Sequence, residues 1–389
     1  MSNRAVSRLH LGPYSEQAVR EMAHAALEEI GGQVSCGFVF VSADYAPDLA
    51  DFLELLKLHA HVPVLAGCSG AGFLGTSREE EQAVGFSLLL LHLPDTQIHP
   101  VRLPAVGEND ELTAAAMRQL AGPGSERCEA WITVANPFTL AVEPWLDAWD
   151  AAFPGVPAVG GLASGGRRGD TAFVFHEREL VEGGVAIGFS GGVKLRTLVS
   201  QGCRPVGEPF TITGAEGHLV TSLGSRPAFE ALDSTFGSLP ARDQALAQGN
   251  LFVGLAMSEY LEEFKTGDFL IRNLIGGDPQ AGVLAVGALP RVGQTLQFQL
   301  RDRTSADAEM RHLLGEVNAG GARPFASLAF TCTGRGRHLF GERHHDARLL
   351  AEVVGEHASA GFFCNGEIGP VGGHNFIHGY SAALALFCD

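Results

Sequence analysis

The segment Phe330-Thr331-Cys332-Thr333-Gly334-Arg335-Gly336-Arg337, followed by His338, puts a thiol at the end of an apolar run beside two guanidinium groups and an imidazole. Positive charge next to sulfur favours the thiolate, the reactive form of cysteine. The segment fits equally a strand cysteine buried for packing, with its arginines serving a carboxylate elsewhere in the fold.

Gly67-Cys68-Ser69-Gly70-Ala71 falls one residue short of the Gly-x-Ser-x-Gly elbow that exposes a nucleophilic serine, since alanine takes the last glycine position. No histidine and acid stand out as partners, so Ser69 reads as a hydrogen-bonding turn residue. A thiol- or serine-dependent hydrolase using Cys332 or Ser69 stays as the alternative. The turn has two counterparts, Gly160-Gly161-Leu162-Ala163-Ser164-Gly165-Gly166 and Asn365-Gly366-Glu367-Ile368-Gly369-Pro370. A triad would need one such turn; repeated turns point to the walls of a pocket.

His374, Asn375 and His378 follow the third turn, but Gly372-Gly373 and Gly379 break any helix that would space two imidazoles for a metal. These read as structural histidines, and His344-His345 as the solvated start of a helix. In Phe269-Leu270-Ile271-Arg272-Asn273-Leu274-Ile275-Gly276-Gly277-Asp278, Arg272 could clamp an anion or pair with Asp278 or Asp302. The candidate ligand-binding residues are therefore Cys68, Ser69, Gly70, Gly160, Gly161, Ser164, Arg272, Asn273, Cys332, Arg335, Asn365, Glu367 and His378. No catalytic residue, metal ligand or cofactor is assigned.

The elements that must position these residues recur three times as strand, helix, strand, glycine turn and a strand opening on Gly-Phe-Ser or Gly-Tyr-Ser. The runs are Gly37 to Leu90, Trp131 to Ser190 and Leu328 to Leu384. Fixed-order self-similarity means one supersecondary unit reused, and the turns at Gly67, Gly160 and Gly366 are expected at equivalent places. Helices are predicted over Ser15 to Ile30, closed by Gly31-Gly32, and over Asp48 to Leu58, Val142 to Phe153 and Asp346 to Ala358. Each of the last three lies between two apolar strands, and the short return to the next strand makes that strand antiparallel. The expected class is α/β: two packed domains with mixed β-sheets covered by helices, built from repeated strand-helix-strand-strand units.

The 389 residues exceed one ordinary core, and the intervening segment lacks the repeat, so a boundary is placed near Arg226: residues 1–226 and 227–389. Hydrophobic residues make up 46% and charged residues 18%, a composition that folds. A net charge of −17 excludes the positive footprint that nucleic acid demands. Seven cysteines without framework spacing indicate reduced thiols and a cytoplasmic home. Leu88 to Leu93 is too short to span a membrane, and the N-terminus lacks the apolar core of a signal peptide.

The chain resembles the FIST family, proteins built from a FIST N-terminal and a FIST C-terminal domain. The resemblance rests on Gly67-Cys68-Ser69-Gly70-Ala71-Gly72 with Gly75 and Arg78-Glu79-Glu80-Glu81, on Val159 to Gly165, and on Ser200 to Gly207. It continues through Ile271 to Gly276 with Asp278, Arg301-Asp302, Cys332 to Gly336, Gly366 to Pro370 and Ile377-His378-Gly379. It implies an intracellular sensory or signal-transduction protein that binds a small ligand, such as an amino acid or small anion, without catalysis. Some relatives bind haem and respond to nitric oxide, but no axial ligand carries over residue by residue. The chain leaves no room for a kinase, cyclase or F-box, so its output is expected through a separate signalling partner. A ligand-free interaction scaffold is the remaining alternative.

Overall fold

Alternating apolar side chains with glycines at the strand ends write the first repeat. In the computed structural model, which describes residues 2–165, 172–258, 264, 267–321 and 323–389, that repeat begins with β1 (Arg4–Leu11) and α1 (Glu16–Ile30). Ser15 caps α1 by accepting the Ala18 N–H at 3.4 Å, and Gly31 ends it with φ at 57°. Then come β2 (Cys36–Val41), α2 (Leu49–Ala60), β3 (Leu65–Ser69), a hairpin of β4 (Gly72–Gly75) and β5 (Arg78–Glu81), and β6 (Gly85–His92). The second repeat follows the same order: β7 (Thr96–Leu103), α3 (Ala114–Ala121), β8 (Ala130–Ala135), α4 (Val142–Ala152), β9 (Ala158–Leu162), β10 (Val174–His176), β11 (Glu179–Val181) and β12 (Gly184–Gly191).

The third repeat opens with β13 (Lys194–Ser200) and is then interrupted. The chain divides into one compact unit of Met1–Val199 with Arg311–Asp389, and a smaller one of Ser200–Met310. The smaller unit holds β14 (Cys203–Pro205), β15 (Phe210–Glu216), β16 (Leu219–Leu223), β17 (Arg226–Pro227), α5 (Ala228–Ser238), α6 (Ala241–Ala247), β18 (Leu251–Ala256), β19 (Phe269–Asp278), β20 (Val283–Val286) and β21 (Thr295–Arg301). The third repeat resumes through α7 (Arg303–Ala319), β22 (Pro324–Cys332), α8 (Gly336–Phe340), α9 (His345–Val354), β23 (Ala358–Cys364), the hairpin β24 (Glu367–Val371) and β25 (His374–His378), and β26 (Ala382–Cys388). The compact units thus follow a division different from the one at Arg226, which falls in β17 of the smaller unit.

In each repeat the first and second inner strands run parallel, and the closing strand returns antiparallel beside the first. Register ties the repeats together. Val39 faces Gly67, Thr133 faces Gly160, and Ala329 faces Gly361. A Cβ on those glycines would stand 1.7, 1.7 and 2.0 Å from the facing carbonyl oxygen, so only glycine fits. The third equivalent is therefore Gly361, not the expected Gly366, which comes after β23 ends. The Gly-Phe-Ser signatures are likewise out of register. The N–H groups of Ser42, Asn136 and Cys332 donate to the carbonyls of Gly85, Gly183 and Ser381, so these three are the equivalents, while Gly188-Phe189-Ser190 lies farther along β12.

The hairpins are exchanged in a ring. That of the first repeat extends the third repeat's sheet through β4 on β23, that of the second extends the first through β10 on β3, and that of the third extends the second through β24 on β9. Three six-stranded sheets result. Strand alternation sends Phe38 and Phe40 of the first sheet, Ile132 and Val134 of the second, and Leu328 and Phe330 of the third into one shared core. The other strand faces pack under helices, Val39 and Val41 with Phe52 and Leu56 of α2, and Trp131 with Trp145 and Trp149 of α4.

The smaller unit closes a barrel. Its pairings run β21, β15, β16, β20, β19, β18 and back to β21, with β14 added alongside β21. Val253, Leu284, Leu296 and Phe298 are among its buried residues.

Candidate functional site

The strands β3, β9 and β23 end in turns that bond to one another. The Ser164 N–H donates to the Ser69 carbonyl at 3.0 Å, and the Ser164 hydroxyl accepts the Ala71 N–H at 2.9 Å and donates to the Phe363 carbonyl. The Leu162 N–H donates to the Gly366 carbonyl at 2.8 Å, and the Asn365 N–H and amide donate to the carbonyls of Leu162 and Ala163 at 3.2 and 3.3 Å. Gly161 is needed here because a Cβ would stand 2.4 Å from the Cys364 Sγ, and a Cβ on Gly70 would crowd Phe362 at 3.0 Å. The sequence thus places Cys68, Ser69, Gly70, Gly160, Gly161, Ser164 and Asn365 at one locus. Gly166 lies outside the described residues.

The third repeat adds charge to this locus. Glu367 is fully buried; its Oε2 accepts the Ser381 N–H at 3.1 Å and the Ser381 hydroxyl at 2.8 Å. Among the described residues its Oε1, also buried, accepts no N–H or O–H donor, and the Cys332 thiol is the other hydrogen-bonding neighbour of the carboxyl. Burial pushes the Glu367 carboxyl up to about 8, opposed by the Ser381 bonds, the Arg335 guanidinium and the adjacent Cys332 thiol. Arg335 is also fully buried and forks onto Asp346, Nε to Oδ2 at 2.8 Å and Nη2 to Oδ1 at 2.9 Å. Its guanidinium lies 5.2 Å from the centre of the Phe340 ring, which stacks on His345. Burial would raise the Asp346 carboxyl, but Arg335 and His345 outweigh it and hold the group well below the usual carboxylate range. Glu79 is in charge contact with both members of this pair, and burial, with the Asp346 charge adding to it, pushes its carboxyl up to about 8.

Of the two readings of Cys332, the geometry favours the buried strand cysteine. The thiol is buried, and burial, reinforced by Glu367, pushes it up to about 12 despite the nearby Arg335. The arginine that was to activate it is committed to Asp346. Ser69 is the expected turn residue: its hydroxyl accepts the Phe173 N–H at 3.1 Å. His378 is buried opposite Glu367 in the hairpin register, with Nε2 3.0 Å from the Gly369 carbonyl. His344 and His345 are not a solvated start to a helix. His344 Nδ1 accepts the Glu79 N–H at 3.0 Å, and the His345 side chain is 9% exposed.

Arg272 and Asn273 belong to β19 of the smaller unit, whereas the residues of this cluster all belong to the larger one. Asp278 accepts the Gln280 and Ala281 N–H groups, and Asp302 pairs with Arg204 at 3.0 Å. Among the described residues, no group of three or more His, Cys, Asp or Glu side chains is placed to hold a metal ion.

Sequence reasoning missed Glu79, Asp346 and Ser381. Glu79 and Glu81 alternate along a strand, which puts both on one face, and that was the available signal. Asp346 gave none, because its partner Arg335 lies across a turn and a short helix.

Residues 35–226 match the FIST N domain and residues 228–370 the FIST C domain. The chain belongs to the FIST family. It is 32% identical over 373 residues to an uncharacterized protein of Mycobacterium tuberculosis, 96% of each chain, and 32% identical over 379 residues to one of Mycobacterium bovis, 97% of each. Among solved structures it is similar to the cyanuric acid hydrolase from A. caulinodans, with a TM-score of 0.30 and 12% identity over 98% of this chain and 99% of that one. A second cyanuric acid hydrolase structure gives a TM-score of 0.32 and 10% identity over the same shares. Such scores carry no argument about chemistry. No helix among the described residues is long and apolar enough to cross a membrane.

Proposed function

We propose that this FIST protein is a cytoplasmic sensor that binds a small polar ligand at the joined strand ends of its three repeats and signals through a separate protein partner. The observation that carries the reading is Glu367. Register makes Phe73, Val174 and Glu367 equivalent, since they face Phe362, Cys68 and Gly161, each one residue beyond the equivalent glycines. Two repeats fill the position with an apolar side chain, and the third buries a carboxyl with one oxygen lacking an N–H or O–H donor. At neutral pH the carboxyl keeps its proton, so this oxygen can carry the O–H; a buried polar group left this way costs about 1–3 kcal/mol, which a ligand carboxylate, carbonyl or hydroxyl oxygen accepting that O–H would recover. A ligand that prefers one arrangement of the site moves the population of the protein by its difference in affinity, which a partner can read.

The hydrolase alternative loses support with the Cys332 thiol pushed up to about 12 and the Ser69 hydroxyl taken by a backbone N–H. A thermal-shift screen with free amino acids, small anions and haem tests the sensor reading. At least one probe should raise the melting temperature, and Glu367→Gln should weaken that shift more than Ser69→Ala does. Turnover of the responding probe, lost in Ser69→Ala or Cys332→Ala, would make the protein an enzyme instead.

A further inference from the structure

Helices α8 and α9 lie in the stretch between Cys332 and β23, and neither has a side-chain cap of its own: the N-cap positions are Arg335 and His344. Both starts are held by the first repeat's hairpin. The Glu81 Oε1 accepts the Arg337 N–H at 2.9 Å at the start of α8, and the Glu79 Oε1 accepts the Ala347 N–H at 2.7 Å in the first turn of α9. The two glutamates are two residues apart on β5 and therefore share a face. Gly336 completes the fit, since its φ is +59° and a Cβ there would stand 2.7 Å from the Glu81 carboxylate carbon.

The segment held in this way contacts the proposed site. The Gly334 N–H folds back on the Cys332 Sγ at 3.4 Å, the Arg335 N–H donates to the Cys332 carbonyl at 2.9 Å, and Arg335 forks onto Asp346 and acts on the Glu367 carboxyl through its charge. We propose that the β4–β5 hairpin is a latch whose Glu79 and Glu81 side chains, each accepting a helix-start N–H, hold the segment from Thr333 to Ala347 closed against Cys332 and Glu367. Releasing the two caps frees helix-start N–H groups that have no other side-chain cap, so the segment loosens locally while the three sheets stay intact. Glu79 is the inner bolt: it is almost fully buried, and among the described residues its Oε2 has no hydrogen-bond partner, so the Ala347 N–H is the hydrogen bond that anchors its carboxyl. The latch rests on the reading of the Glu367 locus as the ligand site, because it regulates access to that locus.

The test combines amide exchange with thiol mapping on the full chain, using iodoacetamide, in Glu79→Ala, Glu79→Gln and Glu81→Ala. The Arg337 or Ala347 amide should exchange about tenfold faster in the matching alanine variant, the scale of a lost N-cap, and Cys332 alkylation should rise by a similar factor. Glu79→Gln keeps an acceptor oxygen and should stay close to wild type. Faster amide exchange with unchanged Cys332 alkylation overturns the latch, as does unchanged exchange. A rise shared by Cys36, Cys128 and Cys388 signals global unfolding and also overturns it. Glu81→Ala, at the less buried residue, guards against a Glu79→Ala that fails to fold. None of these readouts uses a ligand, so the latch can fail while a probe still shifts the melting temperature, and the converse.

Discussion

Ser381 gives Glu367 two hydrogen bonds on one oxygen, from its N–H at 3.1 Å and its hydroxyl at 2.8 Å, and the adjacent Cys332 thiol is pushed up to about 12. The carboxyl is pushed up to about 8 from 4.5, so in the folded state it keeps a proton that the unfolded chain gives up. Its contribution to stability is full below the unfolded value and is lost as pH rises through about 8. The urea midpoint of wild type should therefore fall relative to that of Glu367→Gln between about pH 5 and pH 9. A difference that stays constant across this range would show that the folded carboxyl titrates as it does in water.

Cys332 should be an inert thiol in the wild-type protein. At neutral pH almost none of it is thiolate, and the thiolate is the form that iodoacetamide captures. Peptide mapping under limiting reagent should find Cys332 modified no faster than the other six cysteines, all of them buried. Preferential labelling of Cys332 would restore the thiolate reading.

Breaking the Arg335 to Asp346 fork should be among the most damaging single changes. Both partners are buried, so Asp346→Ala leaves a buried guanidinium without its counter-ion, at a cost of about 3–5 kcal/mol. Chemical denaturation measures this directly. A loss below about 1 kcal/mol would place the pair in the weak class of surface bridges.

Two glycine substitutions separate packing from mere presence. Gly160→Ala drives a methyl group to within 1.7 Å of the Thr133 oxygen and should cost about 3 kcal/mol or more, or prevent folding. Gly379→Ala meets nothing within 4 Å and should change stability by no more than about 0.5 kcal/mol. Comparable melting temperatures for the two variants would contradict the register that makes Gly67, Gly160 and Gly361 equivalent.

The sequence by itself determined what is periodic and local. The apolar run from Phe38 to Val41, the helical spacing of Val19, Ala26 and Ile30, and the Gly31 cap are short-range patterns and appear where expected, whereas the threefold recurrence appears with its third glycine and its Gly-Phe-Ser signatures out of register. Only the tertiary structure decided which glycines are equivalent, because Gly361 and Gly366 differ in the strand they face and not in their local sequence. The hairpin exchange was out of reach for the same reason: β4 of the first repeat pairs with β23 of the third, and nothing within β4 names that partner. That exchange brings Glu79 and Glu81 to the starts of α8 and α9. It was burial, a property of the assembled sheets, that turned the Cys332 environment from activating to silencing. Arginines near a cysteine in sequence lower its pKa only if they face it uncommitted, and here Arg335 is committed to Asp346 while desolvation dominates at the sulfur.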